Sequence, residues 1–509
     1  MRQLTALDQQ FLALEDPRHY GHIGGVAILD PSTAPGGTLS VLDLQNLIAE
    51  RLPLVPPFRW RLVEVPFNLD YGYWSEDPDF DLEFHVRELA LAPPGTDLQL
   101  GDQVARIFAR PLDRARPLWE LYLIHGLPHG RVAVMSKIHH AVIDGISGAE
   151  IIGALFDLSA EGRESPPPPA RQAAEPPPGE LEMLARGMLG VPRYPLRLLR
   201  SVPSALPNIE ELPQLGGIPG LRAAGRVAGL AQRIVGRRSV VGRGDLAPPR
   251  TAFSGRISAH RRYAFGQLPL ADLREVKNHY GCTVNDVVVS ICAGAVRRWL
   301  IEHDDLPAEP LVAQIPVSVR TTEQMGTYGN RILLMTAPLY TNVADPIRRL
   351  GVTHEALIEM KERHRALPAE LLRDANQFIP PAVFSRAARL TFALSASKHG
   401  RPAWNLVVSN VPGPQHPLYL AGARLEANYP ISVITDGMGV NITAMSYRGQ
   451  LDFGIVGDRE QVPDLWLMIG WLRESLEELR PARKSAASRP RRTSDRRRTP
   501  HHPDRSDAL

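Results

Sequence analysis

Residues 139–145 read HHAVIDG, with the apolar run VAVMSKI before them and ISGAEIIGALF after them. The stretch RVAVMSKIHHAV (131–142) alternates and predicts a strand, while ISGAEIIGALFDLS (146–159) predicts a helix after an Asp-Gly turn. Three readings are open for the two histidines: packing beside a tight turn, a metal site, or proton transfer. Successive strand side chains point to opposite faces, so His139 and His140 cannot enter one cleft unless the backbone kinks. That geometry speaks against metal, as does the lack of an HExxH pattern or a third ligand at a familiar spacing, and no metal site is expected. As core residues, both rings would be satisfied by neighbours. As a base, a neutral imidazole titrating near ~6.5 is available at cellular pH, but it needs a partner that fixes its geometry. On that reading His139 makes a structural hydrogen bond, and Asp144 locks the turn by pairing with an arginine elsewhere.

Outward from this stretch, strands and helices alternate. GHIGGVAIL (21–29), FHVRELAL (84–91) and LWELYLIHGL (118–127) read as strands, and LSVLDLQNLIAERL (39–52) and GDQVARIFARPL (101–112) as helices. Further on, HRRYAFGQL (260–268), LVAQIPVSVR (311–320), RILLMTAPL (331–339), NLVVSNV (405–411), PISVI (430–434), GVNITAMSYRG (439–449) and QLDFGIVGD (450–458) read as strands. LADLREVKNHYG (270–281) is a helix closed by glycine, TVNDVVVSICAGAVRRWLIEH (283–303) a longer one with Thr283 as N-cap, and VPDLWLMIGWLRESLEELR (462–480) a closing helix. The alternation predicts an α/β layered architecture. Four segments follow: an N-terminal domain at 1–160, a linker at 161–249, a second domain at 250–480 and a tail at 481–509. The linker opens with ESPPPPARQAAEPPPGE (164–180), which cannot hold a helix or a ladder. Its remainder alternates apolar and arginine positions, either as helices over the domain junction or as a basic amphipathic surface for lipid.

The 509 residues allow a substantial core, and the net charge of +3 is small. The arginine-rich tail supplies the excess, and its composition predicts disorder. Without it the chain is mildly acidic, which argues against a nucleic-acid-binding body. Two cysteines, Cys282 and Cys292, fit neither a metal site nor a disulfide framework, as expected in a reducing cytoplasm. The opening segment lacks the pattern of a signal peptide, and no apolar run is long enough to predict a spanning helix. Any membrane contact is expected to be peripheral. Nucleophile motifs are also missing: GISGA (145–149) departs from G-x-S-x-G. VVGRGDLAPP (240–249) has prolines where a dinucleotide-binding helix would start, and no phosphate-loop pattern occurs. Direct attack by a substrate hydroxyl is therefore favoured over an acyl-enzyme.

HHAVIDG matches the HHxxxDG motif of the CoA-dependent acyltransferase superfamily. LTALDQQFLALED (4–16), PLWELYLIHGL (117–127), VNDVVVSICAGA (284–295), PVSVR (316–320), the Gly-Asn pair at 329–330 and SNVPGP (409–414) follow in the order seen in one family. Through residue 480 the chain resembles the bacterial wax ester synthase/diacylglycerol acyltransferases. The resemblance implies two domains similar to chloramphenicol acetyltransferase, facing each other across a substrate channel and joined by a helical linker. It implies that His140 is the general base that deprotonates an acceptor hydroxyl for attack on the thioester of acyl-CoA. His139, Asp144 and Gly145 would support the motif. Candidate oxyanion or substrate contacts are Ser409 and Asn410, and Arg320 is the candidate partner of Asp144. Asn285 and Asp286 fall in the first turn of a helix, where capping is the expected role. PLW at 117–119 is readable as a strand start with a buried tryptophan.

The resemblance implies a co-substrate, acyl-CoA, and no cofactor. The acceptor would be a lipid alcohol: diacylglycerol, giving triacylglycerol, is the acceptor expected from the family, with a fatty alcohol, giving a wax ester, as the alternative. A cytoplasmic location, peripheral on the inner membrane face or on lipid droplets, would suit the basic linker and tail. No specific nucleic acid and no obligate protein partner are expected. Two rivals stand beside this reading. One is a carrier-protein-dependent acyltransferase, which the lack of a carrier module disfavours. The other is a catalytically silent lipid-droplet-binding protein, which the intact motif disfavours.

Overall fold

The computed structural model describes residues 2–143, 148–164, 179–190, 247–318, 332–365, 381–397 and 400–481. The first half runs β1 (Arg2–Gln3), α1 (Ala6–Leu14), β2 (His22–Asp30), α2 (Val41–Arg51), β3 (Trp60–Val63), β4 (Tyr73–Glu76), α3 (Leu82–His85), β5 (Val86–Ala90), α4 (Asp97–Phe108), β6 (Trp119–His125), β7 (Val132–His139), α5 (His140–Ile143), α6 (Gly148–Leu155) and α7 (Glu180–Gly190). The second half runs β8 (Arg261–Pro269), α8 (Leu270–Tyr280), α9 (Val284–Glu302), β9 (Leu311–Ser318), β10 (Ile332–Leu339), α10 (Pro346–Arg365), α11 (Pro381–Ala396), β11 (Leu406–Val411), β12 (Tyr419–Leu420), β13 (Ala423–Ile431), β14 (Val440–Tyr447), β15 (Gln450–Asp458) and α12 (Leu467–Glu477). The fold is α/β, as its alternating pattern predicts.

Two six-stranded sheets carry the molecule. One has the order β12-β13-β2-β7-β6-β5 and the other β10-β9-β11-β14-β15-β8; β1, β4 and β3 form a small third sheet. The first large sheet is not built from the first half alone. β13 crosses from the second half and pairs antiparallel with β2, from Arg424 opposite Asp30 to Ile431 opposite Gly24. The halves are therefore stitched through the backbone as well as through side chains.

Local sequence explains most boundaries. Thr5, Ser40, Thr96 and Thr283 each cap a helix, and each is answered by an Asp or Gln three residues on. α8 ends on Gly281 in the left-handed region at φ 69°. FHVRELAL departs from its expected strand. Its first residues lie in the short helix α3, because Asp81 accepts the Glu83 and Phe84 amides, and the strand starts at Val86. α4 likewise starts one turn earlier than its apolar pattern suggests, at the Thr96 cap. Gly24 permits β2 to reach β7: a Cβ there would lie 1.8 Å from the Ser136 carbonyl oxygen.

α9 is the core of the second half. Thirteen of its nineteen residues are buried, from Asp286 to Leu300. A separate apolar cluster joins the halves, with Val104 and Phe108 of α4 meeting Tyr263 and Phe265 of β8 and Tyr429 of β13. Among the described residues, no helix is long and apolar enough to cross a membrane. The residues at 165–178 and 191–246, most of the expected linker, and the tail from 482 lie outside the described residues.

Candidate active site

The backbone changes form between the two histidines. β7 ends on His139 and α5 begins on His140. This break is the kink that two adjacent strand histidines need to work together. Both rings now reach the same element, α1. The His140 ring lies flat against Phe11, with centroids 3.9 Å apart and planes 16° from parallel. His139 is buried at 1 % exposure, and its Nε2 faces Glu15 Oε1 at 3.2 Å. Phe11 lies within α1 and Glu15 is its C-cap residue, one helical turn further on.

The backbone around the pair is fixed at several points. The His139 amide donates to the Leu118 carbonyl at 2.9 Å, and the His140 amide donates to the Gly21 carbonyl at 2.8 Å. His139 Nδ1 accepts the Ala141 amide at 3.1 Å. With Nδ1 accepting, Nε2 is the ring nitrogen left to donate, and it faces Glu15. The PLW segment thus bears on the motif through Leu118, while Trp119 is fully buried at the start of β6 and donates its indole N–H to the Phe58 carbonyl at 2.7 Å.

Glu15 is the most heavily engaged carboxylate here. Its Oε1 also accepts the Gly21 amide at 2.9 Å, and its Oε2 accepts from Arg114 Nη2 at 2.9 Å. Burial works to raise its pKa, but His139, the Gly21 amide and Arg114 together outweigh burial and hold the carboxyl far below its ordinary range. Arg114 donates as well to the Leu12 carbonyl at 2.7 Å, and Arg389 of α11 donates to the Ala13 and Glu15 carbonyls at 2.9 Å each. The second half thereby caps the end of α1. A small hollow lies beside α5, lined by Ala141 and Val142 and by Arg2, Trp60 and Trp74.

The second half assembles a smaller constellation. Asn410 on β11 donates to Asn285 Oδ1 on α9 at 3.5 Å. Ser409 precedes it, half-buried, opposite Thr443 of β14. Asp286 does the work expected of a capping residue: it is 1 % exposed and accepts the Thr283 amide at 2.8 Å. Its Oδ2 also meets His354 Nδ1 at 2.6 Å. Asp144, Gly145 and Arg320 lie outside the described residues. Among those described, no group of His, Cys, Asp or Glu could hold a metal ion.

Sequence reasoning found the two histidines but not Phe11, Glu15, Gly21, Arg114 or Arg389. The segment holding Phe11 and Glu15 was visible as a match in order, without a role for either residue. Their signal was the i, i+4 spacing of an aromatic and an acid at the end of a capped helix.

Paired mixed sheets, a crossing strand and two histidines at a strand-to-helix break define the two-domain acyltransferase plan shared with condensation domains. The first condensation domain of the CDA synthetase has this fold, with a TM-score of 0.52 at 16% identity over 94% of this chain and 97% of that one. The wax ester synthase/diacylglycerol acyltransferase from Marinobacter aquaeolei VT8 matches with a TM-score of 0.66 at 29% identity, covering 94% of this chain and 98% of that one. A Mycobacterium tuberculosis (strain ATCC 25618 / H37Rv) protein, provisionally named a diacylglycerol O-acyltransferase, is 35% identical over 94% of this chain and 90% of its own length. The model of the wax ester synthase/diacylglycerol acyltransferase catalytic domain matches residues 4–288, and that of the C-terminal domain of the same family matches 328–480. The chain belongs to this family and is an acyltransferase.

Proposed function

We propose that the protein transfers a long-chain acyl group from acyl-CoA to the hydroxyl of diacylglycerol, with His140 as the general base. The observation that carries this is the strand-to-helix break, which separates a buried, structural His139 from a half-buried His140 held by its ring plane. The hydroxyl gives its proton to His140 as its oxygen bonds to the thioester carbon. The tetrahedral intermediate then collapses, the C–S bond breaks, and the imidazolium returns the proton to the departing CoA sulfur. Ser409 and Asn410 are the proposed donors to the oxyanion, and the family's name supports both diacylglycerol and fatty alcohols as acceptors. Acyl-CoA is a co-substrate, and the reading requires no cofactor.

Release of free thiol from palmitoyl-CoA tests the reading, with diacylglycerol, hexadecanol or no acceptor present. Acceptor-dependent release that falls by about 10²- to 10⁴-fold in His140→Ala supports it. Equal trace release by both forms, whatever the acceptor, sinks it.

A lipid alcohol must be drawn from a lipid phase, and exposed apolar side chains support peripheral contact with one. Phe67 is 81% exposed on a left-handed turn at φ 59°, and α7 packs beside that turn with Leu181 82% and Met188 60% exposed. Flotation with diacylglycerol-containing vesicles is expected to carry the wild type, but not Phe67→Ser/Leu181→Ser. Equal flotation of the two would remove this surface from the reading.

A further inference from the structure

We propose that Glu15 is a positioning residue for the acyl-transfer step, acting through His139 and Gly21 to set the place of His140. This rests on the reading of His140 as the base.

The geometry is a closed loop around the strand-to-helix break. Glu15 Oε1 takes the Gly21 amide at 2.9 Å and faces His139 Nε2 at 3.2 Å. Gly21 returns the connection from its other side, since its carbonyl accepts the His140 amide at 2.8 Å. His139 closes the loop by accepting the Ala141 amide, just past His140. One carboxylate oxygen therefore holds both residues that flank the His140 backbone in space. The loop is tight: a Cβ on Gly21 would stand 2.7 Å from His139 Nε2. Position 21 thus has no room for a side chain unless the ring moves.

The carboxylate cannot drift, because Arg114 grips its second oxygen. Nor can the backbone that carries it, because Arg389, from the other half of the chain, donates to the Glu15 carbonyl. A buried, ionised acid is costly unless its lone pairs are filled. Here they are filled by groups that lead to the base, which is why the position is more than a stabilising ion pair. A carboxylate is required because it must accept from three donors: the Gly21 amide, His139 and Arg114. A glutamine amide has one acceptor oxygen of the same size and presents N–H groups on the other side.

Glu15→Gln keeps the shape but leaves one acceptor oxygen where three donors converge, so an N–H must face either Arg114 or the Gly21–His139 pair and the clamp loosens. Steady-state kinetics of the full chain are expected to show kcat lowered about 10- to 100-fold, as for small misplacements of a reacting group, with KM for palmitoyl-CoA and for the acceptor within about twofold. A folded Glu15→Gln with kcat near wild type overturns the proposal, and so does a rise in KM at unchanged kcat. Arg114→Gln serves if Glu15→Gln does not fold: it loosens one oxygen, and a smaller fall in kcat alone is expected, while an unchanged kcat overturns the proposal. Adding Glu15→Gln or Arg114→Gln to His140→Ala separates this idea from the one beneath it. A positioning residue has nothing left to position there, so no further loss is expected, and a full additive loss overturns it. Retained turnover in His140→Ala alone overturns the base reading instead.

Discussion

Phe11 lies face to face with His140, ring centroid to ring centroid at 3.9 Å, and so fixes the plane in which the imidazole presents its edge. A stacked aromatic pair contributes about 0.5–1.5 kcal/mol beyond burial. If that energy holds the ring in its reactive plane, Phe11→Ala lowers kcat up to about tenfold, since about 1.4 kcal/mol is a factor of ten. Phe11→Tyr, which keeps the ring, stays near wild type. Substrate KM values should hold in both. A Phe11→Ala enzyme with normal kcat would show that backbone anchors alone fix His140.

Asn285 and Asp286 are neighbours with separable duties. Asp286 closes the α9 capping box and pairs with His354. Asp286→Ala is expected to cost about 1–2 kcal/mol of stability, the range of a lost cap. Asn285 instead reaches β11 through Asn410. Asn285→Ala is expected to leave the thermal midpoint within about 1 °C, because a half-buried amide contact as long as 3.5 Å contributes little net energy, and to alter turnover. Thermal denaturation and thiol release on the two variants decide the matter. A stable, fully active Asn285→Ala would detach the Asn285–Asn410 pair from the reaction.

The sequence made the elements legible but not their partners. β7 and α9 could be read because their periodicity and caps are local. The need for a kink between His139 and His140 was also legible, since it follows from the two-residue period of a strand. The clamp around them was not. Glu15 and His139 are distant in sequence, and nothing local in LTALDQQFLALED says what its acid will meet. The crossing of β13 was hidden for the same reason. PISVI (430–434) reads as a strand, whereas β13 spans Ala423–Ile431 and ends on the second residue of that run; nor does pattern name its neighbour, β2, nearly four hundred residues away.

That crossing makes one contact unusually unforgiving. A Cβ at Gly454 of β15 would stand 1.7 Å from the Pro430 carbonyl oxygen of β13, where the two large sheets meet. Both partners are backbone, so neither can rotate away. Gly454→Ala is expected to destabilise by about 3 kcal/mol or more, at the upper end for overpacking. Gly470 of α12 is the control, since a Cβ there meets nothing within 4 Å. Gly470→Ala should be neutral or stabilising by up to about 1 kcal/mol, as expected of alanine within a helix. Equal chemical-denaturation midpoints for the two variants would show that the sheets can slide apart without loss.

Beside that contact, Asp452 couples the junction to pH. It is fully buried, its Oδ2 accepts the Asn428 amide at 2.7 Å, and its Oδ1 accepts from Gln267 at 2.8 Å. Burial raises its pKa to about 6, against the lowering effect of those two hydrogen bonds. The folded state therefore binds the proton more tightly than the unfolded chain, where an aspartate titrates near ~3.9. The stabilisation is fully present below about pH 4 and is lost as pH rises through about 6. Two pKa units correspond to about 3 kcal/mol. Asp452→Asn has no proton to lose, so its stability relative to wild type should climb by about that amount between pH 4 and pH 7.5. Denaturant titrations at the two pH values measure the difference directly. A gap that does not change with pH would mean that Asp452 ionises as readily in the fold as out of it, and that water reaches the junction between the sheets.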